Sequence, residues 1–332
     1  MTWLVTGGAG YIGAHVVRAL CAAQIEAVVY DDLSSGFETF VAPEATFVRG
    51  TILDGARLVA TMEKFDVTGV IHVAGFKYAG VSVDRPLHTY EQNVTGTAKL
   101  LAAMHEVGVN RIVFSSSAAV YDTPDVDLVV EDTPKAPQSP YGESKLIGEW
   151  LLRDQAVAAG LRHTSLRYFN VVGSGHPSVY DSSPHNLFPL VFDALLAGNI
   201  PRINGNDYDT PDGTNVRDYI HVSDLALAHV AAANCLEVGT ALEPAYNLGS
   251  GVGVSVAEIM ATVSAVTGMP FSPQIAARRL GDPARIVAGG ELAARDIGWQ
   301  MRHSLADMVR SAWEARTATT AQNGHIGTEL LG

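Results

Sequence analysis

The stretch Gly7-Gly8-Ala9-Gly10-Tyr11-Ile12-Gly13 follows the apolar run at residues 3–6 and precedes a helical pattern reaching about residue 23. A strand, a glycine turn and a helix in that order form a parallel α/β unit whose turn meets a phosphate. Gly7 allows the tight turn, Gly10 lets backbone approach a pyrophosphate, and Gly13 permits close packing of helix on strand. The helix N-terminus offers its unpaired N–H groups to the same anion. A second strand at residues 27–30 ends in Asp31-Asp32. An acid there, roughly 20 residues past the glycines, accepts hydrogen bonds from ribose hydroxyls and repels a 2′-phosphate. Asp31 therefore favours NAD over NADP, although an Asp opening the turn at Ser34-Ser35-Gly36 fits the same position.

Further strands at residues 46–48, 67–73, 111–115 and 163–168 alternate with helices, the longest at 86–107 and at 140 to about 160. That alternation predicts an α/β fold, a Rossmann-type doubly wound parallel sheet with ligands beyond the strands' carboxyl ends. Ala74-Gly75-Phe76-Lys77 and Ser115-Ser116-Ser117 stand at such ends. Lys77 fits a ribose or phosphate contact and an ordinary surface lysine equally. The second half is less regular. It predicts helices at 186–198, 223–236, 255–267 and 304–315, one strand at 216–221 and another at 245–248. The expected division is an NAD-binding domain over 1–170, to which 215–240 returns, and a smaller mixed α/β substrate cap over 171–316. A flexible tail is expected over 317–332.

The formal net charge of −13, with no run of Lys or Arg, argues against nucleic acid or an anionic membrane as partner. Cys21 and Cys235 are too few for a disulfide framework, and no His spacing suits a protein metal site. Neither a signal peptide nor an apolar run of about 18 residues is evident, so the expected location is cytoplasmic.

Tyr141 and Lys145 stand four apart behind Pro140, which suits a first helical turn, so phenol and ammonium share a helix face. Alone, that spacing also describes a solvated face. Taken with the glycine turn, Ser115-Ser116-Ser117 and Arg167-Tyr168-Phe169-Asn170, it resembles the extended short-chain dehydrogenase/reductases. Within them, Gly205-Asn206-Asp207-Tyr208, the run from Asp212 to Val222, and Tyr246-Asn247-Leu248-Gly249 resemble the UDP-hexose 4-epimerase family.

The resemblance implies an isomerase with bound NAD that interconverts UDP-glucose and UDP-galactose. C4 is oxidised, the 4-keto sugar turns over, and it is re-reduced on the other face. Tyr141 is the implied base, Lys145 its partner and Ser117 the hydroxyl on the sugar 4-OH. The implied cofactor residues are Gly7, Gly10, Tyr11, Ile12, Gly13, Asp31, Asp32, Thr51, Ile52, Ala74, Lys77, Asn93, Ser115, Tyr141, Lys145 and Tyr168. Those implied for substrate are Ser117, Tyr141, Asn170, Asn186, Leu187, Arg217, Tyr219, Arg279 and Asp282.

Four positions depart from the pattern. Thr51 replaces an Asp on the adenine, Asp122 replaces a Gly, Asn204 stands near the uracil, and the position gating room around the sugar falls on Ile286. Epimerases of UDP-GlcNAc or UDP-glucuronate are the nearest alternatives, followed by a non-catalytic NAD-binding module. Dehydratases and decarboxylases need an acid just after the serine, where this chain has Ala118 and Ala119. A homodimer is implied through the helices at 86–107 and 140–160. Their Leu100, Leu101, Met104, Leu146, Trp150 and Leu151 fit either that contact or packing on the sheet. An ammonium at ~6 Å supplies about 2.8 kcal/mol of the roughly 4 kcal/mol needed to bring a phenol near neutrality. Lys145 is therefore expected to lower Tyr141 without sufficing alone.

Overall fold

The computed structural model describes residues 1–121, 126–279 and 282–329, the side chains of 319–329 excepted. In chain order the strands are β1 (Thr2–Thr6), β2 (Glu26–Asp31), β3 (Thr46–Arg49), β4 (Val67–His72), β5 (Arg111–Ser115), β6 (Arg162–Tyr168), β7 (Asn170–Val172), β8 (Arg202–Asn204), β9 (Val216–Arg217), β10 (Tyr219–His221), β11 (Ala245–Leu248), β12 (Val254–Ser255), β13 (Gln274–Ala276) and β14 (Arg285–Ile286). The helices are α1 (Tyr11–Ala22), α2 (Gly55–Lys64), α3 (Ala79–Asp84), α4 (Pro86–Tyr90), α5 (Gly96–Glu106), α6 (Pro140–Ala159), α7 (Leu187–Leu196), α8 (Val222–Glu237), α9 (Val256–Thr267), α10 (Glu291–Ile297) and α11 (Leu305–Glu329).

The central sheet runs in the order β3-β2-β1-β4-β5-β6-β11, and every adjacent pair is parallel. This is the doubly wound α/β fold the sequence predicts. Strands buried on both faces read as apolar runs, and Trp3, Leu4, Val5, Val70, Ile71, Ile112 and Val113 are almost wholly inaccessible. On one face α1 packs against α8 through Val16, Val17 and Leu20 with Leu225, Ala228 and Ala232. On the other, Leu58 and Met62 of α2 meet Leu100, Leu101 and Met104 of α5 and Leu152 of α6. The order reverses between β1 and β4, which opens the crevice beyond their carboxyl ends. A further core holds Phe188, Phe192, Ile259, Val263, Met308 and Val309 from α7, α9 and α11.

Three details differ from expectation. The helix at 86–107 is interrupted by a π turn over Glu91–Thr95, which carries Asn93. The single strand at 216–221 is two: β9 joins β12 and β14, while β10 joins β7. The break is Asp218, 1% exposed, whose carboxylate accepts from the N–H of Ser250 and of Ala288. The last helix does not stop at residue 315. It continues to Glu329, and Thr317 Oγ1 bonds the carbonyl of Trp313 one turn back. Of the six residues left open between a partner contact and the sheet, Leu100, Leu101, Met104 and Leu146 are buried within this chain and Leu151 packs against its core, whereas Trp150 is 47% exposed. The first five pack in the chain's own layers.

Asp218→Ala would take the acceptor from the buried Ala288 N–H and the half-buried Ser250 N–H, a loss of about 1–3 kcal/mol for a buried group. Urea unfolding should show a loss of about 2–4 kcal/mol; a loss within 0.5 kcal/mol, on the order of a surface substitution, would contradict this role.

Candidate active site

A cavity of about 1100 Å³ lies beyond the carboxyl ends of the central strands, between the sheet and α7. Its walls carry Gly7, Gly10, Tyr11, Ile12, Gly13, Asp31, Asp32, Ile52, Ala74, Lys77, Tyr141, Lys145, Tyr168, Asn170, Asn186, Leu187, Asn204, Arg217, Tyr219, Arg279 and Asp282. Residues far apart in sequence thus converge on one space.

The glycine turn has no room for side chains. Gly7 has φ +72°, and a Cβ there would stand 2.7 Å from the Ala74 nitrogen. One on Gly13 would stand 2.1 Å from the Gly7 oxygen. α1 starts at Gly10 with no side-chain cap and no acid in its first turn, so its N-terminus suits an anion. Asp31 is 8% exposed; its carboxylate accepts from Ala9 N at 3.0 Å and Leu33 N at 2.8 Å. Burial raises its pKa and the two backbone bonds oppose that. Asp32 accepts from Ser34 N. Lys77 faces the cavity, where desolvation lowers its ammonium while Asp181 and Asp31 support it.

Thr51, Asn93, Ser115 and Ser117 do not line this cavity among the described residues. Thr51 accepts the Tyr30 hydroxyl through its carbonyl. Asn93 sits behind the loop at 74–77. It accepts from Phe76 N at 2.6 Å and donates to Phe76 O at 3.0 Å and to Ser144 Oγ at 2.8 Å. The π turn thereby ties the loop to α6. Ser115 shares a hydrogen bond of 2.7 Å with His229 Nε2, and its carbonyl accepts from Lys145.

Ser139 caps α6, accepting from Gly142 N at 3.2 Å, and Pro140 fills the first turn. This start aims Tyr141 and Lys145 at the cavity. Tyr141 N donates to Ser82 Oγ at 3.1 Å. Ser117 stands near the Tyr141 phenol and favours its ionised form. Lys145 Nζ lies 5.9 Å from the Tyr141 ring centre and donates to Ser115 O at 2.8 Å. Burial raises the Tyr141 pKa and Ser117 opposes it. That direction is opposite to the lowering expected from Lys145, because the desolvated phenolate costs more than this geometry returns. Burial also pulls Lys145 down to about 8, against the Glu149 carboxylate. Tyr168 is pushed well above its ordinary value by burial, with Tyr141 adding to it.

On the cap side, Arg217 Nη2 donates to Asp282 Oδ1 at 2.5 Å, and Asn215 Nδ2 donates to Asp282 Oδ2 at 3.1 Å. Asp282 is thus a partner that aims Arg217. Asn170 donates through Nδ2 to Asp218 O at 3.0 Å, and Asn186 donates to Asp181 Oδ2 at 2.7 Å. Tyr219 is buried edge-on against Phe188. Ile286 does not line the cavity; it packs with Phe169 against Val120, Tyr121 and Leu146. The gating expected of Ile286 therefore has no direct contact behind it, and Phe169 holds the wall instead. Asp122 lies outside the described residues. The sequence reading missed Tyr180, Asp181 and His185, which also line the cavity. No motif marks them; only the turn-rich composition of residues 173–186 signalled a loop. Among the described residues no group of three or more His, Cys, Asp or Glu could hold a metal ion.

The chain is similar to "UDP-glucose 4-epimerase" of Azospirillum brasilense, 43% identical over 318 residues, which cover 94% of this chain and 91% of that protein. It resembles the crystal structure of UDP-glucose 4-epimerase from Brucella ovis in complex with NAD, with a TM-score of 0.90 at 42% identity, covering 94% of this chain and 97% of that one. It also resembles the enzyme of that name from Bifidobacterium longum in complex with NAD+ and UDP, with a TM-score of 0.87 at 35% identity, covering 96% and 99%. The glycine turn, the crevice at the strand reversal and the Tyr141–Lys145 face all fall within residues 3–249, which match the family described as "NAD dependent epimerase/dehydratase family"; this chain belongs to that family.

Proposed function

We propose that this chain is a UDP-hexose 4-epimerase that interconverts UDP-glucose and UDP-galactose with NAD retained in the site. The carrying observation is Lys145 Nζ, 5.9 Å from the Tyr141 ring centre on one helix face at the cavity, with Ala118 and Ala119 after Ser117 where an elimination enzyme needs an acid. The nearest acids on α6 are engaged elsewhere: Glu143 bonds the Tyr90 hydroxyl and Glu149 pairs with Arg167. Neither residue directly after Ser117 carries an acid and both of these glutamates are paired, which favours oxidation and reduction at C4 over elimination.

NAD fits the residues present. The side-chain-free cradle at Gly7, Gly10 and Gly13, the open N-terminus of α1 and the buried Asp31 suit pyrophosphate and ribose. Tyr11, Ile12, Asp32, Ile52, Ala74, Lys77 and Tyr168 complete that wall. Asn93 and Ser115 act from behind, on the 74–77 loop and on Lys145. When bound, NAD supplies an acceptor and donor for the C4 hydride.

The chain's own groups handle the proton. Ser117 donates to or accepts from the sugar 4-hydroxyl, and Tyr141 takes its proton and returns it. The structure sets Tyr141's pKa high, so Lys145 together with a cationic ring must bring it down before it works near neutrality. Arg217, aimed by Asp282, and Arg279 offer planar forks to a diphosphate; Asn170, Asn186, Leu187 and Tyr219 border the hexose and diphosphate path. The reading includes a cytoplasmic homodimer. Leu87 at 82% exposure and Trp150 at 47% supply apolar surface on the helices expected to pair. No helix among the described residues is long and apolar enough to cross a membrane.

Tyr141→Phe should lower the interconversion rate about 10³-fold while cofactor released on denaturation stays at the wild-type amount. Activity within tenfold of wild type would remove Tyr141 as the base. Gly13→Ala should purify without cofactor, because its methyl group meets the Gly7 carbonyl. Stoichiometric NAD in that variant would contradict the cradle. A coupled assay of UDP-galactose against UDP-GlcNAc and UDP-glucuronate, with no NAD added, should show turnover of UDP-galactose; turnover only with added NAD would indicate a net dehydrogenase.

A further inference from the structure

Glu149 stands one turn beyond Lys145, so Tyr141, Lys145 and Glu149 follow at four-residue steps along one face of α6. Its side chain is 10% exposed and that of its partner Arg167 is 7% exposed. The pair is bidentate: Arg167 Nε donates to Oε1 at 2.8 Å and Nη2 to Oε2 at 2.6 Å. Ser116 Oγ donates to Oε1 at 2.6 Å. Arg167 Nη1 also donates to the Tyr121 hydroxyl at 2.6 Å, and Tyr121 donates to Asn247 Oδ1 at 2.7 Å. Glu149, Arg167 and Ser116 are all absent from the cavity wall.

A buried ion pair is a poor source of stability, since desolvation offsets its attraction. Its placement here points to Lys145, which is 6% exposed and whose Nζ donates to a single carbonyl, that of Ser115. Burial disfavours that ammonium and the Glu149 carboxylate opposes the effect. The other titratable groups around Lys145 are Tyr141 from its own helix, His72 from β4 and His229 of α8 behind Ser115, with Tyr168 of β6 beside Tyr141. Burial holds His72 at about 3 and His229 at about 4, and both are neutral where the enzyme works. Tyr168 stays protonated there. Glu149 is the carboxylate in this set.

We propose that Glu149, held rigid by Arg167 and Ser116, is a positioning residue that keeps Lys145 in its ammonium form beneath Tyr141. The inference rests on the epimerase reading above. Loss of the carboxylate removes the charge that opposes burial of Lys145, so the ammonium must lose its proton at lower pH. The rate should then fall sooner as pH rises.

On purified holoenzyme, Glu149→Gln should move the alkaline limb of the kcat–pH profile down by about one unit, leaving about a tenth of the wild-type rate above it. The ¹³Cε signal of Lys145, assigned through Lys145→Arg, should titrate with the same downward shift and reads the charge without turnover. Arg167→Gln unmoors the same carboxylate and leaves it buried without its cation, which favours its neutral form, so the midpoint should fall there too. It also serves if Glu149→Gln does not fold. A Lys145 midpoint unmoved in Glu149→Gln, or unmoved or raised in Arg167→Gln, overturns the proposal. Wild-type protein that titrates as expected but leaves UDP-galactose unchanged overturns the epimerase reading instead.

Discussion

A lysine ammonium buried under a tyrosine is the constraint on which the site depends. Lys145 has left water for a single carbonyl of β5, and burial alone would strip its proton within reach of neutral pH. What surrounds it is arranged accordingly. The Ser139 cap and Pro140 fix where α6 begins, hence where Tyr141 and Lys145 point. The Ser115 carbonyl fixes the ammonium, and Glu149 with Arg167 supplies charge from the side away from the cavity. Burial raises both the phenol and the cost of the ammonium, so neither group is ready for proton transfer alone. The need for a further positive charge over Tyr141 follows from that energetics, and an oxidised nicotinamide is such a charge.

The other half of the site is a matter of space. Gly7 and Gly13 bring the turn after β1 within van der Waals reach of the start of α1 and of the loop after β4, at the point where strand order reverses. No side chain fits there, and α1 begins beside it with no side-chain cap, which leaves its N-terminus open to an anion. The loop at 74–77 is held in turn by Asn93 from a π turn, and Asn93 reaches Ser144 on α6. The loop at 74–77 and the helix bearing Tyr141 are therefore one hydrogen-bonded unit. This explains how a hydride acceptor and a proton acceptor can keep a fixed separation while the cap admits a sugar that must turn over.

Much of this was legible in the sequence because it depends on local rules. A glycine turn between strand and helix, an acid closing the second strand and a Tyr and Lys at helical spacing each carry their meaning in a few adjacent residues. The parallel sheet follows from alternation alone. What was hidden depends on contacts distant in sequence. Asp218 splits one apparent strand because it is buried against Ser250 and Ala288. Leu100, Leu101 and Met104 face this chain's own α2 rather than a partner, a choice that helical spacing does not encode. Asp181 reaches the cavity from a loop without a motif, and Ile286 leaves it because Phe169 lies in front. Glu149 was one step further along a face already singled out, and only its pairing with Arg167 distinguishes it from a solvated glutamate.

The account's central claim is that C4 loses and regains a hydride inside a closed site, with Tyr141 moving only the hydroxyl proton. The most direct measurement is the fate of deuterium in UDP-galactose labelled at C4, read by NMR of the UDP-glucose formed in ordinary water without added NAD. The account predicts that the product keeps its deuterium at C4 through many turnovers. Loss of that deuterium to solvent would mean that the carbon is deprotonated directly, and would contradict it.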